Sequence, residues 1–220
     1  MRGTPSEKFK KIGKGTRRHT ICVRGRMLQV YALSTGGFLY SMSNMTESIL
    51  EPDLVGKLFM FAHDAHTNHN LRGEDHVIRR GLYPYIIHPM WAAGTLVADP
   101  TLPKEERILG YQILVLHDVL EDTSIKLPEW VSEEVKSGVQ ALTHDNWEEE
   151  QDAVTHYTPF LKLLKLCDKI QTMYELAIVD PKKAHEWKQL IERLVVDVEA
   201  HYGKTRVVVI AKALLEDTDW

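Results

Sequence analysis

The amino-acid sequence predicts an all-α fold preceded by a basic N-terminal extension. From residue 50 onward, prolines stand where first helical turns can begin, with an acidic residue close to each: Pro52, Pro103, Pro128 and Pro181. Strand signals are nearly absent in this part of the chain. The 220 residues, 44% of them hydrophobic, suffice for one compact core but hardly for two full domains. We therefore expect an extension over residues 1–45 and one helical domain over residues 46–220.

The helical part divides into segments separated by short connections and one long connection. Helices are predicted at 52–69, 88–98, 103–121, 128–142, 147–157, 159–178, 181–201 and 204–216. The long connection runs from Asn70 to Ile87 and is rich in Arg, Gly and Pro. A loop of this length in a compact domain is more often functional than idle.

The N-terminal extension is strongly basic. Residues 1–45 hold nine Lys or Arg and only Glu7 as an acid, a balance of +8 in a chain of net charge −4, which leaves −12 for the other 175 residues. Such an arm can bind nucleic acid or another acidic surface by releasing counterions. The alternative, which we favour, is a disordered or loosely attached extension without this role. Its alternating stretch from His19 to Leu33 predicts two short strands about Gly25, as in a hairpin.

The composition argues against several classes of protein. No run approaches the roughly 18 consecutive apolar residues of a membrane span, and the nearest candidate, 207–215, is interrupted by Lys212. The basic N-terminus lacks an apolar segment before a small-residue cleavage site, so we expect no secretory signal. The two cysteines, Cys22 and Cys167, have neither the number of a disulfide framework nor the spacing of a zinc site. A reduced, cytoplasmic location fits these features best.

Three separated segments place histidine or aspartate in apolar surroundings. His88 stands just before a proline at a predicted helix start. The adjacent pair His117 and Asp118 interrupts the apolar pattern of 113–123, and Asp168 interrupts that of 161–170. Burying a carboxylate on an apolar helix face is costly unless it is paired or bound to a metal. Taken singly, each of these residues has an ordinary explanation as a packed histidine or a salt-bridged carboxylate.

Taken together, these residues predict a metal centre. Two imidazoles and two carboxylates from three helices can surround one divalent ion and leave positions open for water and a substrate oxygen. Such an ion lowers the pKa of water and neutralises charge on a phosphoryl oxygen, as metal-assisted hydrolysis requires. Nitrogen and oxygen ligands without thiolate argue against a structural zinc site and suit manganese, iron or catalytic zinc.

Two further carboxylates follow three and four residues after Asp118. In a continuous helix, Glu121 and Asp122 lie near the face of Asp118, within reach of the attacking water or of the leaving group. The alternative is a solvated last helical turn. Acidic residues there oppose the helix dipole, however, and so favour a functional reason.

The order His…His-Asp…Asp resembles that of the HD-domain metal-dependent phosphohydrolases. Three blocks are similar to the hydrolase domain of the RelA/SpoT proteins and to their stand-alone relatives, the small alarmone hydrolases: Pro-Tyr-Ile-Ile-His-Pro at 84–89, Leu-His-Asp-Val-Leu-Glu-Asp-Thr at 116–123, and Leu-Lys-Leu-Cys-Asp-Lys-Ile at 164–170. The resemblance implies a helical HD-domain fold, usually with one manganese ion. It also implies removal of the 3′-pyrophosphate from guanosine tetra- or pentaphosphate (ppGpp or pppGpp), the nucleotides of the stringent response, with related activity on other 3′-phosphorylated nucleotides.

The resemblance also assigns roles to particular residues. The metal ligands it implies are His88, His117, Asp118 and Asp168. Glu121 and Asp122 are implied to activate water and assist the leaving group. Lys169 follows the last ligand and is expected to screen a phosphate, the alternative being an exposed helix lysine.

The chain departs from the family in two places. The family's Ala-His-x-x-Gln-x-Arg run is only loosely matched by 65–72, which ends at Arg72, and the segment 73–82 looks inserted. Arg79 and Arg80 in that segment are expected to bind phosphates through forked hydrogen bonds, the alternative being a solvated loop. Gln171 and Thr172 stand where the family commonly has His-Asn or Tyr-Asn, a position that helps to contact the nucleoside in relatives, so base or sugar preference stays open.

The leading hypothesis is a phosphohydrolase acting on alarmone pyrophosphate. Arg72, Arg79, Arg80 and Lys169, with Lys162 and Lys165, are the cations expected near the substrate phosphates. One alternative is an HD nucleotidase acting on (deoxy)nucleotide 5′-phosphates, motivated by the altered Gln171 and Thr172. Another is a catalytically silent nucleotide-sensing module with the basic arm as its contact. The complete ligand set and the following carboxylates favour an enzyme.

The remaining histidines and aromatic residues receive structural interpretations. His63, His66 and His69 repeat every three residues and predict a polar helix stripe, with His66 the candidate to reach the pocket. His144 imitates the His-Asp pair outside an apolar setting and is interpreted as a loop residue. Trp147 and Tyr157 are interpreted as core or rim residues.

Overall fold

A computed structural model of the chain describes residues 17–23, 26–32, 38–41, 49–73 and 77–216. The chain divides into two compact units, Met1–Ser48 and Ile49–Trp220. In the first unit, strands β1 (Arg17–Val23), β2 (Arg26–Ala32) and β3 (Phe38–Ser41) form an antiparallel sheet in that order. Strands β1 and β2 pair in register from Arg17 opposite Ala32 to Val23 opposite Arg26. They form the antiparallel pair that the alternation predicts, while Gly25 and most of the basic arm lie outside the described residues.

The second unit is helical, as the sequence predicts. Its elements, in chain order, are α1 (Pro52–Asn68), β4 (Ile78–Arg79), β5 (Tyr83–Pro84), α2 (Ile87–Val97), α3 (Lys104–Leu116), α4 (Val119–Asp122), α5 (Glu133–Leu142), α6 (Trp147–His156), α7 (Pro159–Val179), α8 (Pro181–Tyr202) and α9 (Arg206–Glu216). Among the described residues, no helix is both long and apolar enough to cross a membrane.

Helix starts follow the capping chemistry in most places. Pro181 occupies the first turn of α8, and the side chain of Asp180 accepts a hydrogen bond from the backbone N–H of Lys183. The predicted start at Pro128 is wrong. Helix α5 begins at Glu133 because Ser132 caps it by accepting from the N–H of Val135, whereas 128–131 form a turn.

The predicted helix 103–121 is interrupted at the His-Asp pair. Helix α3 ends at Leu116, and α4 follows after His117 and Asp118. The Nδ1 atom of His117 lies 2.7 Å from the carbonyl oxygen of Leu114 and so engages the acceptor that the next helical turn would use. The backbone N–H of Asp122 still donates to the Asp118 carbonyl at 2.9 Å. The four-residue spacing of these two carboxylates therefore keeps its helical geometry.

The long connection between α1 and α2 contains a small hairpin that the sequence did not predict. Strands β4 and β5 pair Ile78 with Pro84 and Arg79 with Tyr83. The turn between them places Arg80 at φ 51° and Gly81 at φ 73°. A left-handed backbone is unfavourable for arginine, by about 1–3 kcal/mol, and persists only where the surroundings hold it. The contacts of the Arg80 side chain, given below, supply that restraint.

Helix α7 lies at the centre of the core. Leu163, Leu164 and Leu166 are fully buried, and Cys167 beside them is a buried thiol without a disulfide. The helix packs against α2 and α8 and also contacts α3, α5 and α9. Because α7 carries Asp168, the same packing that forms the core fixes the position of this carboxylate.

Truncation of the α7 core tests this arrangement. Leu164→Ala removes a fully buried side chain and is expected to lower the free energy of unfolding by about 2–5 kcal/mol through lost burial and a residual cavity. Val209→Ala, at a position that is 56% exposed, is the control and should change the free energy by less than about 0.5 kcal/mol. Denaturant titration measures both, and equal effects would contradict a central position for α7.

Candidate metal centre

Four side chains predicted as ligands converge at one point. Nitrogen or oxygen atoms of His88, His117 and Asp168 all lie within 4.8 Å of one another. The Nε2 atom of His88 is 3.3 Å from Asp168 Oδ1 and 3.5 Å from Asp118 Oδ2. The Nε2 atom of His117 is 3.0 Å from Asp118 Oδ1 and 3.7 Å from Asp168 Oδ1. The turn between α3 and α4, helix α7 and the first turn of α2 thus present two imidazoles and two carboxylates to one small volume.

Hydrogen bonds on the far side of each imidazole fix which nitrogen faces this volume. The Nδ1 atom of His88 bonds the amide oxygen of Gln171, and Nδ1 of His117 faces the Leu114 carbonyl. Both partners are acceptors, so each Nδ1 carries a hydrogen and Nε2 is the ring nitrogen that faces the cluster, where it can offer a lone pair to a metal once it is deprotonated. The Nε2 of His117 is buried and makes no hydrogen bond among the described residues. Such a nitrogen between two carboxylates is suited to a cation.

The charges around the cluster favour a positive group there. Burial opposes a charged imidazole, but the carboxylates of Asp118 and Asp168 outweigh it and raise the pKa of His117 to about 10. Burial and the nearby guanidinium of Arg79 lower the pKa of His88. Burial of Asp168 alone would raise its pKa, but the charges of Lys169 and Lys165 outweigh burial and hold the pKa of Asp168 well below its usual value. A field that stabilises an imidazolium also stabilises a divalent cation, and the donor set fits one.

Glu121 and Asp122 line the same cavity, which has a volume of about 260 Å³. The hydroxyl of Tyr85 lies 2.6 Å from an oxygen of Asp118 and 2.6 Å from an oxygen of Asp122, so it connects these two carboxylates. Burial, together with the charges of Asp118 and Asp122, raises the pKa of Glu121 to about 7. A carboxyl group with this pKa can give and accept a proton near neutral pH.

The predicted phosphate-binding cations line the cavity and already contact carboxylates. Arg72 lies 3.1 Å from Glu121 and 2.5 Å from Asp122. Lys169 is buried, 3.2 Å from Asp168, so the alternative of an exposed helix lysine is wrong. Arg79 and Arg80 bond Glu175, at 2.8 and 3.2 Å. The alternative of a solvated loop is therefore wrong for Arg79, which is buried, while Arg80 is partly exposed.

Two further lysines behave differently from each other. Lys165 is buried in the cavity wall, 2.5 Å from Glu150 and 3.3 Å from Asp168. Lys162 does not reach the site. It pairs with Asp197 at 2.6 Å and lines a separate groove between α6 and α8. The two lysines are three residues apart on α7 and lie near the same helix face, with Lys162 one turn closer to the start of the helix.

Several contacts of the site were not predicted from the sequence. Tyr85, Gln171 and Glu175 form part of a buried hydrogen-bond network behind the candidate ligands. Trp147 and Trp187 stack at 4.5 Å between ring centroids at the cavity wall, and Lys169 Nζ lies 4.3 Å from the Trp187 centroid. The block containing Tyr85 was recognised, but no feature of the sequence alone joins Trp187 or Glu175 to it.

The histidines outside the cluster take distinct positions. His66 is buried behind Tyr85, with ring centroids 4.3 Å apart, and is absent from the described lining of the cavity. Burial lowers its pKa to about 4, so it is neutral. His144 stands in the loop between α5 and α6, as predicted, but also lines the cavity, and its Nε2 lies 2.5 Å from the Tyr157 hydroxyl.

Comparison with known proteins identifies the fold. No protein-family model matches the chain. Among solved structures, the chain is similar to a metazoan ortholog of SpoT that hydrolyzes ppGpp and plays a role in starvation responses. The TM-score is 0.59 and the identity 14%, over 77% of this chain and 98% of that one. The chain has an HD-domain fold. At this identity the similarity shows the fold alone. Within this fold, the cluster of His88, His117 and Asp168 could hold a divalent metal.

The cluster is expected to bind a divalent metal, and this can be measured without any substrate. At a Mn²⁺ concentration 100 times its Kd, binding to the native state should add about 2.7 kcal/mol to the free energy of unfolding. Asp168→Asn should lose most of this gain, because it removes a charged ligand candidate. The control Asp152→Asn changes an exposed residue of α6 and should keep the gain. Equal stabilisation of both variants would place the ion elsewhere.

Proposed function

We propose that the chain is a metal-dependent phosphohydrolase that removes the 3′-pyrophosphate from ppGpp or a related nucleotide. The observation that carries this proposal is the convergence of His88, His117, Asp118 and Asp168 beside a cavity whose wall holds Glu121. The similarity of the fold to that of a protein that hydrolyzes ppGpp supports the choice of substrate. The cysteine content supports a cytoplasmic location.

The four converging side chains would hold one divalent cation, which we propose is Mn²⁺, with Fe²⁺ or Zn²⁺ as alternatives. When bound, this ion supplies Lewis-acid activation of water and of a phosphoryl oxygen. The protein's part is to present two neutral imidazole nitrogens and two carboxylates in a fixed arrangement. Nitrogen and oxygen donors without thiolate are those that suit these metals.

Glu121 is the proposed proton acceptor. Hydrolysis adds water to the phosphorus bonded to the 3′ oxygen of the nucleotide, breaks that P–O bond and returns a proton to the 3′ oxygen. Glu121, with its pKa raised to about 7, can take the proton from water. Asp122 is buried and held by Tyr85 and Arg72, so we propose that it orients the attacking water or the leaving oxygen.

The cations of the cavity wall are proposed to bind the phosphates. Arg72 is the most accessible of them, with 46% of its side chain exposed, and it stands beside Glu121 and Asp122. Lys165 and Lys169 hold positive charge behind Asp168. A phosphate entering the cavity can replace a carboxylate as the partner of Arg72 while keeping its forked hydrogen bonds.

An HD nucleotidase acting on 5′-phosphates is the second candidate. It is motivated by Thr172, which lines the cavity where relatives commonly have Asn. Product analysis separates the two: pyrophosphate released from a 3′ position, against phosphate or triphosphate from a 5′ position. A nucleotide-sensing module would instead bind nucleotide in the metal-loaded protein without turnover.

A direct assay tests the leading proposal. The Mn²⁺-loaded protein should release pyrophosphate from ppGpp, and His117→Ala should abolish the release, because it removes an imidazole from the cluster. His156→Ala, at an exposed position of α6, should retain full activity. Identical inactivity of wild type and His117→Ala over guanosine and adenosine phosphates would overturn the proposal.

The role of Glu121 is tested by Glu121→Gln. Loss of a general base should lower kcat by about 10²- to 10⁴-fold while Mn²⁺ affinity stays close to wild type. Glu148→Gln, a change on the exposed surface of α6, is the matched control. An unchanged kcat for Glu121→Gln would assign the proton transfer to another group.

A further inference from the structure

A buried pair of polar residues stands behind His88 on helix α7. Gln171 and Glu175 are each 1% exposed, and they lie three and seven residues after Asp168. The spacing places all three side chains on one face of the helix. A carboxylate and an amide of this burial are costly unless their hydrogen-bonding capacity is used. Their contacts show that this hydrogen-bonding capacity is used and that each group has a fixed role as donor or acceptor.

The carboxylate of Glu175 determines which groups donate and which accept in these hydrogen bonds. The amide nitrogen of Gln171 donates to Glu175 at 2.6 Å and also bonds the Tyr83 hydroxyl. Since an ionised carboxylate only accepts, the amide of Gln171 cannot be reversed. Its oxygen must therefore face His88, where it accepts the hydrogen of Nδ1. The charge on Glu175 thus determines which ring nitrogen of His88 carries the hydrogen.

Glu175 is itself fastened by the β4–β5 hairpin. Arg79 Nε donates to both of its oxygens, at 2.8 and 3.0 Å, Arg80 Nε donates at 3.2 Å, and the Tyr83 hydroxyl donates to Oε1. These three residues come from the hairpin and its turn, including the left-handed backbone at Arg80. The hairpin thereby neutralises the carboxylate and fixes its orientation against α7.

We propose that Glu175 and Gln171 are positioning residues that hold His88 in the Nδ1–H form, with Nε2 directed at the cation site, and that the β4–β5 hairpin supplies the contacts that hold Glu175. The inference rests on the metal site of the proposed function but concerns ligand orientation and needs no particular substrate. Partners of this kind typically contribute about tenfold to a hundredfold to metal affinity.

The test uses variants that remove or exchange the hydrogen-bonding groups with little change in side-chain size. Gln171→Leu removes the acceptor of His88 Nδ1–H. Glu175→Gln removes the charge that orients the amide. The double variant Gln171→Glu with Glu175→Gln restores the pattern with the charge exchanged, because a carboxylate at 171 accepts from His88 and an amide at 175 donates to it. Gln112→Leu, a half-buried position on α3, is the control.

Two readouts separate orientation from stability. The Kd of Mn²⁺, measured from the paramagnetic resonance of the free ion, should rise about tenfold to a hundredfold in Gln171→Leu and return toward wild type in the double variant. The ¹⁵N shifts of His88 in the metal-free protein should show a protonated Nδ1 in wild type and a changed tautomer population in Gln171→Leu. Gln112→Leu should match wild type in both.

The outcomes distinguish this inference from the proposed function. An unchanged Kd and an unchanged His88 spectrum in Gln171→Leu, or a double variant no better than either single one, would overturn the inference. If the wild type binds Mn²⁺ but hydrolyses no nucleotide, the proposed function fails while the differences in Kd still support the inference. If a single variant does not fold, the ¹⁵N spectrum of His88 in the double variant is compared with that of wild type. A protonated Nδ1 in both supports the inference, and a different tautomer in the double variant overturns it.

Discussion

The structure depends on the compensation of carboxylates inside a helical core. Asp168, Asp122 and Glu175 are each less than 5% exposed. A buried charge is costly unless a counter-charge and hydrogen bonds accompany it. Glu175 has Arg79 at 2.8 Å and Asp122 has Arg72 at 2.5 Å. Asp168 has Lys169 at 3.2 Å and Lys165 at 3.3 Å. In each of these cases a basic side chain compensates the carboxylate directly.

Asp118 is compensated differently, and its surroundings could accommodate a cation. Arg79 approaches it no closer than 4.0 Å, and the described groups nearer to it include the Tyr85 hydroxyl and the imidazoles of His88 and His117. Neutral imidazoles supply no charge, so in the metal-free protein the carboxylates retain a proton on His117, whose pKa is raised to about 10. A divalent ion held by these side chains would replace that proton and complete the compensation.

The part of the site that could be predicted consists of residues that stand out against the pattern of their neighbours in the sequence. His117, Asp118 and Asp168 interrupt apolar helix patterns, and a charged residue at an expected core position signals a function before any fold is known. The all-α class followed from capping signals and from the near absence of strand patterns. The break after Leu116 could not be predicted in this way, because it depends on the His117 side chain bonding the carbonyl of Leu114, which competes with the helical pattern only once that imidazole is buried.

The unpredicted part consists of contacts between distant segments. The hairpin residues lie 92 to 96 positions from Glu175, and neither periodicity nor spacing relates positions so far apart. The apparent insertion at 73–82 and the change to Gln171 looked like two separate departures from the family pattern. The structure joins them, since Arg79 and Arg80 hold the carboxylate that orients the amide of Gln171 against His88. Glutamine at 171 can hold His88 in one orientation only if its amide cannot rotate, and the hairpin provides the fixed charge that prevents the rotation. The two departures are therefore parts of one physical arrangement.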